Sequence, residues 1–233
     1  MRGKRVLVID DDPRLLKLVE LIFSQAKAQV YTASNGQEGL SQFYAHQPDL
    51  VILDLMLPKM DGWEICHRIR QVSQVPLIML TGLGQDDTII RGLVNYGADD
   101  YITKPFSSDV LLARAQAVLR RTALPATAAK PVTYGDNYLT IASTERRVFV
   151  RGKPVKLSNT EYRLLIYLVQ NAGHVLTFRQ ILNNVWGGLR DNNEYVHAYM
   201  WYLRQKLEED PHHPLYFLTE YGVGYRFEKQ ILG

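Results

Sequence analysis

Residues 48–62, PDLVILDLMLPKMDG, decide how the first half of this chain folds. An apolar run from Leu50 to Leu53 ends in a single carboxylate, Asp54, and turn-forming residues stand before and after it. A short apolar run with such boundaries predicts a strand that is buried on both faces. Because burying a lone carboxylate is energetically costly, Asp54 either lies at the open end of this strand and takes part in chemistry or is an ordinary turn residue.

Similar strands occur four more times in the first half of the chain, with helix-like segments between them. They are expected at residues 5–9, 30–33, 76–81 and 100–103. This alternation predicts an α/β fold: a five-stranded, doubly wound parallel sheet with helices on both faces. Asp12, before Pro13, is expected to cap the first helix. The helix between the last two strands is expected near residues 87–95.

Polar side chains stand at or just past the ends of four of these strands. They are Asp10, Asp11, Asp54, Thr81 and Lys104. Ligands of open parallel sheets bind outside the carboxyl ends of the strands, so these residues are expected to meet in one crevice. Three facing carboxylates repel one another and need a cation, and an all-oxygen ligand set favours Mg²⁺. One aspartate could then act as a nucleophile and carry a phosphoryl group.

Each residue of this crevice also has an ordinary interpretation. Asp10 and Asp11 could be helix caps, Thr81 could end a strand, and Lys104 could be a solvated surface residue. A magnesium-dependent phosphatase or phosphotransferase could use the same carboxylates, although the sequence shows no second base and no evident substrate pocket.

A proline-containing segment of small residues separates two halves of different charge. Residues 122–131, TALPATAAKP, lack periodicity and are predicted to be a linker. Residues 1–121 hold 14 basic and 14 acidic residues, whereas residues 122–233 hold 13 and 10, with four of the six histidines. The mild positive excess permits nucleic-acid binding in the second half without requiring it.

The second half has the pattern of an α+β winged helix-turn-helix domain. Short strands are expected first, the last of them at residues 155–157. Two capping boxes, one from Ser158 to Glu161 and one from Thr177 to Gln180, then predict the starts of two helices. A third helix near residues 193–208 and a glycine-containing hairpin at residues 216–227 complete the pattern.

The composition gives expectations about compartment. The single cysteine, Cys66, excludes an internal disulfide and a cysteine-based metal site, so a reducing cytoplasm is the expected location. No apolar run approaches the roughly 20 residues that span a bilayer, so no membrane association is expected.

Several of these motifs resemble those of a known family. Asp10-Asp11, Asp54 before Met-Leu-Pro, Leu80-Thr81 and GADDYITKPF at residues 97–106 are similar to the flavodoxin-like receiver domain of two-component response regulators. In the second half, KLSNTEYRLL, YLRQKLE and YGVGYRF resemble the DNA-binding domain of the OmpR/PhoB subfamily. Within that subfamily, VHAYMWYLRQKLEEDP is similar to KdpE-type regulators.

The resemblance implies a domain organisation and a function. Residues 1–121 would form a receiver domain, residues 122–131 a linker and residues 132–233 a winged-helix domain. The protein would be a phosphorylation-controlled transcriptional regulator and not an enzyme. A regulator whose receiver serves only for dimerisation is an alternative, which the intact carboxylates, threonine and lysine disfavour.

The resemblance also assigns roles to the residues of the crevice. Asp54 would accept a phosphoryl group from a sensor histidine kinase. Asp11 and Asp54 would bind Mg²⁺ directly and Asp10 through water, and the carbonyl of Met56 would complete the metal site.

Three further residues would form the switch that responds to phosphorylation. Lys104 would pair with the phosphoryl group across a cis bond to Pro105, and Thr81 would close on that group. Tyr101 would then rotate inward and alter the face made by the fourth and fifth helices and the fifth strand, through which a homodimer would form. Plain packing is the alternative for Tyr101.

Six residues of the second domain are predicted to contact double-stranded DNA. The third helix would enter the major groove with the side opposite its core stripe, and the hairpin would touch phosphate or the minor groove. The predicted contacts are His197, Trp201, Tyr202 and Arg204 on the helix and Thr219 and Tyr221 on the hairpin. For Trp201 and Tyr202, packing against the hairpin or another subunit is the alternative. The GGLRDN loop, residues 187–192, resembles the loop that contacts RNA polymerase in this family, and an ordinary connector is its alternative.

Overall fold

The structure is a computed structural model that describes residues 1–82, 96–123, 133–187 and 193–230. The chain forms two compact units, residues 1–123 and residues 124–233. Among the described residues, no helix combines the length and apolar character that crossing a membrane requires.

The first unit is built on a parallel five-stranded sheet. Its strands are β1 (Arg5–Ile9), β2 (Gln29–Ala33), β3 (Leu50–Asp54), β4 (Leu77–Thr81) and β5 (Asp100–Thr103), in the order β2-β1-β3-β4-β5. Its described helices are α1 (Pro13–Gln25), α2 (Gly36–His46), α3 (Gly62–Val72) and α4 (Ser108–Ala123). This arrangement confirms the predicted doubly wound fold. The helix expected near residues 87–95 lies outside the described residues.

The opening stretch of the sequence forms the centre of this sheet. All five residues of β3 are buried, as its uninterrupted apolar run predicted. The turn that follows passes very close to the strand end, because a Cβ atom on Gly62 would lie 2.4 Å from the carbonyl oxygen of Asp54. Only glycine fits there, so Gly62 allows α3 to start directly beside Asp54.

Side-chain caps set the starts of the helices. Asp12 accepts a hydrogen bond from Arg14 N at 2.8 Å and is the predicted N-cap of α1. Asn35 caps α2 by accepting from Glu38 N. Since Asp12 already serves α1, a capping role is not needed to explain Asp10 and Asp11.

In its described residues, the second unit contains two antiparallel sheets and three helices. The first sheet consists of β6 (Thr133–Gly135), β7 (Leu139–Ala142), β8 (Arg147–Val150) and β9 (Lys153–Pro154), in that order. The helices are α5 (Asn159–Gln170), α6 (Phe178–Trp186) and α7 (Glu194–Leu207). The second sheet has the order β10-β12-β11, formed by β10 (Leu176–Thr177), β11 (Phe217–Glu220) and β12 (Gly224–Phe227). Helices followed by the β11–β12 hairpin form the predicted winged helix-turn-helix domain.

Both predicted capping boxes are present. In each, the Ser158 or Thr177 hydroxyl accepts from the backbone N–H three residues on, and the side chain of that later residue accepts from the cap N–H. The strand predicted at residues 155–157 is wrong. Val155 N donates to Val148 O at 2.8 Å, and the chain then leaves the sheet so that Ser158 can cap α5.

The predicted linker overlaps the end of α4. That helix continues to Ala123, so residues 122 and 123 are helical rather than part of a linker. The rest of the predicted linker lies outside the described residues.

Candidate functional site

Three carboxylates converge at the carboxyl edge of the parallel sheet. Ile9 of β1 pairs with Leu53 of β3, so the residues that follow them, Asp10 and Asp54, end neighbouring strands side by side. Oxygen atoms of Asp10, Asp11 and Asp54 lie within 4.8 Å of one another. Asp10 and Asp54 are buried and Asp11 is exposed. This geometry supplies an all-oxygen cluster that is open to solvent on the Asp11 side.

Lys104 brings the counter-charge to this cluster. Its Nζ atom lies 2.7 Å from Asp10 Oδ2 and 2.9 Å from Asp54 Oδ2. The loop after β5 places it there through a hydrogen bond from Lys104 N to Thr81 O and a cis bond to Pro105. Burial alone would lower the pKa of Lys104, but its hydrogen bonds with the two aspartates outweigh burial and raise that pKa.

The remaining hydrogen bonds do not balance the negative charge of the carboxylates. Asp10 Oδ1 accepts from Asp12 N at 2.9 Å, and Asp54 Oδ1 accepts from Met56 N at 3.2 Å. Burial nevertheless raises the pKa of Asp10, and the hydrogen bond from Lys104 only partly opposes it. Three acids with one described cation therefore retain an excess of negative charge, as a site for a hard divalent cation requires.

The fifth predicted crevice residue, Thr81, and the predicted switch residue Tyr101 lie on the neighbouring strands. Thr81 ends β4, is fully buried and pairs in register with Thr103 of β5. Tyr101 of β5 is 5% exposed, which fits both packing and an inward switch position. The structure thus brings Asp10, Asp11, Asp54 and Lys104 into one cluster and places Thr81 at the same sheet edge.

A cavity beside the cluster contains a residue that the sequence reasoning missed. It has a volume of about 530 Å³ and extends from Asp11 past the exposed Met56 to Trp63. Trp63 reaches it because Asp61 caps α3 by accepting from Trp63 N. The Asp-Gly-Trp sequence at a helix start, following the loop after Asp54, was the available signal.

The predicted DNA-reading helix, α7, has the expected core stripe. Val196, Met200 and Leu203 are fully buried. On the other side, Trp201 is 37% exposed and packs edge-on against His212. Tyr202 is half-buried. At the tip of the hairpin, Tyr221 is 91% exposed.

Two of the predicted DNA contacts, Arg204 and Thr219, are hydrogen-bonded to each other. Arg204 donates from Nε to Phe217 O at 2.9 Å and from Nη2 to Thr219 Oγ1 at 2.8 Å. Its guanidinium also lies over the Tyr225 ring, and burial lowers its pKa. Arg204 was placed on the outward flank of the helix, but hydrogen-bond acceptors on β11 draw it to the hairpin. Arg204 and Thr219 therefore fasten the hairpin to α7 in the DNA-free protein, and their contact with DNA stays a prediction.

His197 also contacts the hairpin while remaining exposed. Its Nδ1 atom lies 2.7 Å from the hydroxyl of Tyr225, and its ring packs 4.8 Å from that of Phe178. Burial lowers the pKa of His197, with Glu194 opposing the effect. His197 is therefore an exposed residue of α7 whose ring is held in place by Tyr225 and Phe178.

Two further cations of the second unit, Arg226 and Lys206, are paired with carboxylates. Arg226 contacts Glu220 at 3.1 Å and Glu228 at 2.6 Å. Lys206 donates to both oxygens of the buried Glu161 at 2.7 Å. Carboxylates of the protein therefore already neutralise the positive charge of Arg226 and Lys206.

Comparison with known proteins assigns both units. Residues 6–116 match the family described as response regulator receiver domain, and residues 152–227 match transcriptional regulatory protein, C terminal. The KDP operon transcriptional regulatory protein KdpE of Escherichia coli is 40% identical over 224 residues, which cover 95% of this chain and 98% of that protein. The DNA-binding dual master transcriptional regulator RpaA of Synechocystis is 39% identical over 96% of this chain and 95% of its own.

Solved structures agree with this assignment. The response regulator DrrB, a Thermotoga maritima OmpR/PhoB homologue, is 33% identical, with 98% of this chain and 100% of that chain covered and a TM-score of 0.52. A mutant of the protein RitR has a TM-score of 0.78 at 25% identity, over 98% and 100% of the two chains. The chain belongs to the OmpR/PhoB family of two-component response regulators, transcriptional regulators that join a receiver domain to a winged-helix DNA-binding domain.

Proposed function

We propose that Asp54 accepts a phosphoryl group from a sensor histidine kinase and that this event controls binding of the winged-helix domain to DNA. The observation that carries the proposal is the cluster of Asp10, Asp11 and Asp54 with Lys104 at the carboxyl edge of the sheet. Structural ion pairs alone do not explain this cluster, because Lys104 contacts only Asp10 and Asp54 of these acids, and three carboxylates beside one lysine keep a net negative charge until a cation binds.

Mg²⁺ is the cofactor that this ligand set fits. Carboxylates of Asp11 and Asp54 would bind it directly and Asp10 through water, and the Met56 carbonyl in the turn after β3 would add a neutral oxygen. When bound, the ion supplies positive charge against the phosphate oxygens. Exposure of Asp11 and Met56 leaves the site open on the side from which a phosphodonor must approach.

The proposed chemistry is a transfer of the phosphoryl group to Asp54. A carboxylate oxygen of Asp54 forms a bond to phosphorus while the bond from phosphorus to the donor's leaving atom breaks, and that electron pair leaves with the donor. Lys104 already contacts Asp54 at 2.9 Å, so its ammonium can shift from the carboxylates to a phosphoryl oxygen without a change of backbone.

Thr81 and Tyr101 are the residues proposed to transmit the change. The Thr81 hydroxyl would donate to the phosphoryl oxygen, and Tyr101, three residues before Lys104 on the same segment, would fill the space that Thr81 leaves. The altered face would favour a receiver homodimer. Two acids next to Tyr101 in the sequence have partners within the unit, since Asp99 contacts Arg70 at 2.9 Å and Asp100 contacts Arg114 at 3.4 Å.

The residues proposed to contact DNA are those whose side chains are exposed or half-buried on the outward side of α7 and at the hairpin tip. The outward side of α7, with His197, Trp201 and Tyr202, would read the major groove, and Tyr221 at the exposed hairpin tip would touch the backbone or the minor groove. Contact with RNA polymerase through residues 187–192 and a cytoplasmic location remain proposals. Most of that loop lies outside the described residues.

Two carboxylates at opposite ends of β3 provide the test of phosphorylation. Asp54 ends the strand inside the cluster, whereas Asp49 precedes it and pairs with Lys4 and Arg5. With Mg²⁺ and a small phosphodonor, mass spectrometry should show one added phosphoryl group on the full chain and on Asp49→Asn. Asp54→Asn should show none. Equal labelling of Asp54→Asn would disprove the assignment of Asp54 as the phosphoacceptor. Labelling of the full chain without any change in its DNA affinity would disprove the proposed control of DNA binding and leave the phosphorylation of Asp54 intact.

A further inference from the structure

One histidine in the first turn of the proposed DNA-reading helix is held in place by three elements. His197 of α7 packs against Phe178 of α6 at 4.8 Å between ring centroids and against Tyr225 of β12 at 5.9 Å. Residues in the N-terminal part of such a helix contact base edges in the major groove. The ring therefore loses little conformational freedom on binding, which favours a specific contact.

The hydrogen bond with Tyr225 selects the nitrogen that carries the imidazole proton. Tyr225 is 4% exposed, so its hydroxyl proton needs an acceptor inside the protein. His197 Nδ1 lies 2.7 Å away and is able to accept this proton when the imidazole is neutral. A neutral imidazole that accepts at Nδ1 carries its proton on Nε2.

Surrounding groups keep both partners in these protonation states. Burial raises the pKa of Tyr225, and the guanidinium of Arg204 over its ring opposes this only in part. Burial lowers the pKa of His197, against the attraction of Glu194. Near neutral pH the pair is a phenol that donates to an uncharged imidazole.

We propose that His197 is a specificity-determining residue whose Nε2–H donates to a base-edge acceptor in the major groove. The acceptors available there are N7 and O6 of guanine, N7 of adenine and O4 of thymine. The inference rests on the proposed function, since it requires that α7 reads DNA. An uncharged donor adds discrimination between bases without adding a phosphate contact.

Two substitutions separate the outward nitrogen from the inward one. His197→Gln places an amide nitrogen near the position of Nε2, whereas His197→Asn places its amide near Nδ1 and keeps a partner for Tyr225. The full chain is first used to select DNA sequences in vitro, and the affinities for the selected site and for unrelated DNA are then measured. We expect His197→Gln to stay within about threefold of wild type and His197→Asn to lose about tenfold on the selected site only.

The reverse order of the two variants would overturn the inference, because it would mean that the Tyr225 contact alone matters. Equal losses on selected and unrelated DNA would also overturn it. If the unaltered protein selects no sequence, the proposed DNA reading fails as well. That result is distinguishable from selection with the wrong order of variants.

A second measurement examines the tautomer without DNA. Imidazole ¹⁵N shifts of the full-length protein near pH 7 should show the Nε2–H form of His197, and Tyr225→Phe should convert it to a mixture of tautomers. The Nδ1–H form in the unaltered protein would contradict the proposal, since Nε2 would then be an acceptor.

Discussion

The charged side chains of the receiver crevice and of the wing face differ in how they are paired. The wing face is defined as α7 with the β11–β12 hairpin. In the crevice, the carboxylates of Asp10, Asp11 and Asp54 lie close together, and Lys104 contacts two of them. On the wing face, Arg204 and Arg226 are bonded to acceptors of the hairpin itself. The described side chains of the crevice do not balance its negative charge. The arginines of the wing face, in contrast, form hydrogen bonds and ion pairs that stabilise the fold.

This difference assigns different kinds of function to the two regions. An excess of negative charge creates affinity for a cation and for the phosphoryl chemistry that follows it. On the wing face both arginines are paired within the protein, so the proposed contacts with DNA are neutral groups, namely imidazole, indole and phenol side chains. Carboxyl groups show the same contrast, because burial raises the pKa of Asp10, whereas hydrogen bonds from Tyr134, Leu139 and other donors outweigh burial and lower the pKa of Asp136.

The largest expected effect is on Mg²⁺ affinity of the crevice. Asp11→Asn removes an exposed carboxylate and should weaken binding about tenfold or more, while Lys104→Met removes a competing cation and should tighten it about tenfold. Isothermal titration calorimetry on the full chain measures both changes.

The neighbouring Asp12 supplies a matched control for this prediction. Asp12→Asn removes a charge one residue away but keeps the cap of α1, since asparagine caps helices equally well. We expect its Mg²⁺ affinity to stay within about threefold of wild type. Weaker binding in Lys104→Met would show that the lysine supports the metal site rather than competing with it.

A second prediction concerns the role of arginine on the wing face. Arg204→Met should lower the stability of the second unit by about 2 kcal/mol, because Phe217 O and Thr219 Oγ1 lose a charged donor. Arg147→Gln breaks an exposed pair with Glu145 and should change stability by less than about 0.5 kcal/mol. Hydrogen exchange of peptides from α7 and β11 reports the difference. Equal protection in both variants would show that Arg204 does not stabilise the hairpin.

The third prediction is that two aspartate-to-asparagine changes act on stability with opposite sign. Without Mg²⁺ at pH 7, Asp10→Asn should stabilise the first unit by about 1 kcal/mol, because the raised pKa of Asp10 means that its ionised form disfavours the folded state. Asp136→Asn should destabilise the second unit by about 1 kcal/mol, because the hydroxyls of Tyr134 and Tyr216 lose their acceptor.

The pH dependence checks the sign for Asp136. Its pKa is lowered on folding, so its contribution is complete above the unfolded value of about 3.9 and disappears as the pH falls through the lower folded value. Hydrogen exchange across this range should show wild type and Asp136→Asn converging at acid pH. A gap that persists there would indicate that the loss arises from packing.

The parts that the sequence predicted correctly depend on local signals and on sheet topology. The crevice could be foreseen because parallel strands place their carboxyl ends together, so Asp10, Asp54 and Lys104 needed no knowledge of side-chain packing. Helix starts at Asp12, Ser158 and Thr177 were equally local, since a cap and its partners lie within four residues.

The wing face could not be foreseen in the same way. Periodicity placed Arg204 outside the core stripe of α7, but its acceptors, Phe217 O and Thr219 Oγ1, belong to a hairpin more than ten residues away. The His197 bond to Tyr225 likewise joins residues 28 positions apart. Nothing local distinguishes an arginine that faces DNA from one that turns back to the protein, because both positions lie at the edge of the same helical stripe.

The smallest expected effect is on the salt dependence of DNA binding. It tests whether the cations of the wing face are already paired with carboxylates of the protein. Arg179, exposed in the first turn of α6, is available to phosphate, so Arg179→Gln should reduce the slope of log affinity against log salt by about 0.9. Arg226→Gln should leave that slope unchanged, because Glu220 and Glu228 already neutralise its guanidinium. Titrations at several salt concentrations measure both slopes. A smaller slope for Arg226→Gln would mean that the hairpin gives up its internal ion pairs on binding, and the contrast between crevice and wing face would then hold only for the DNA-free protein.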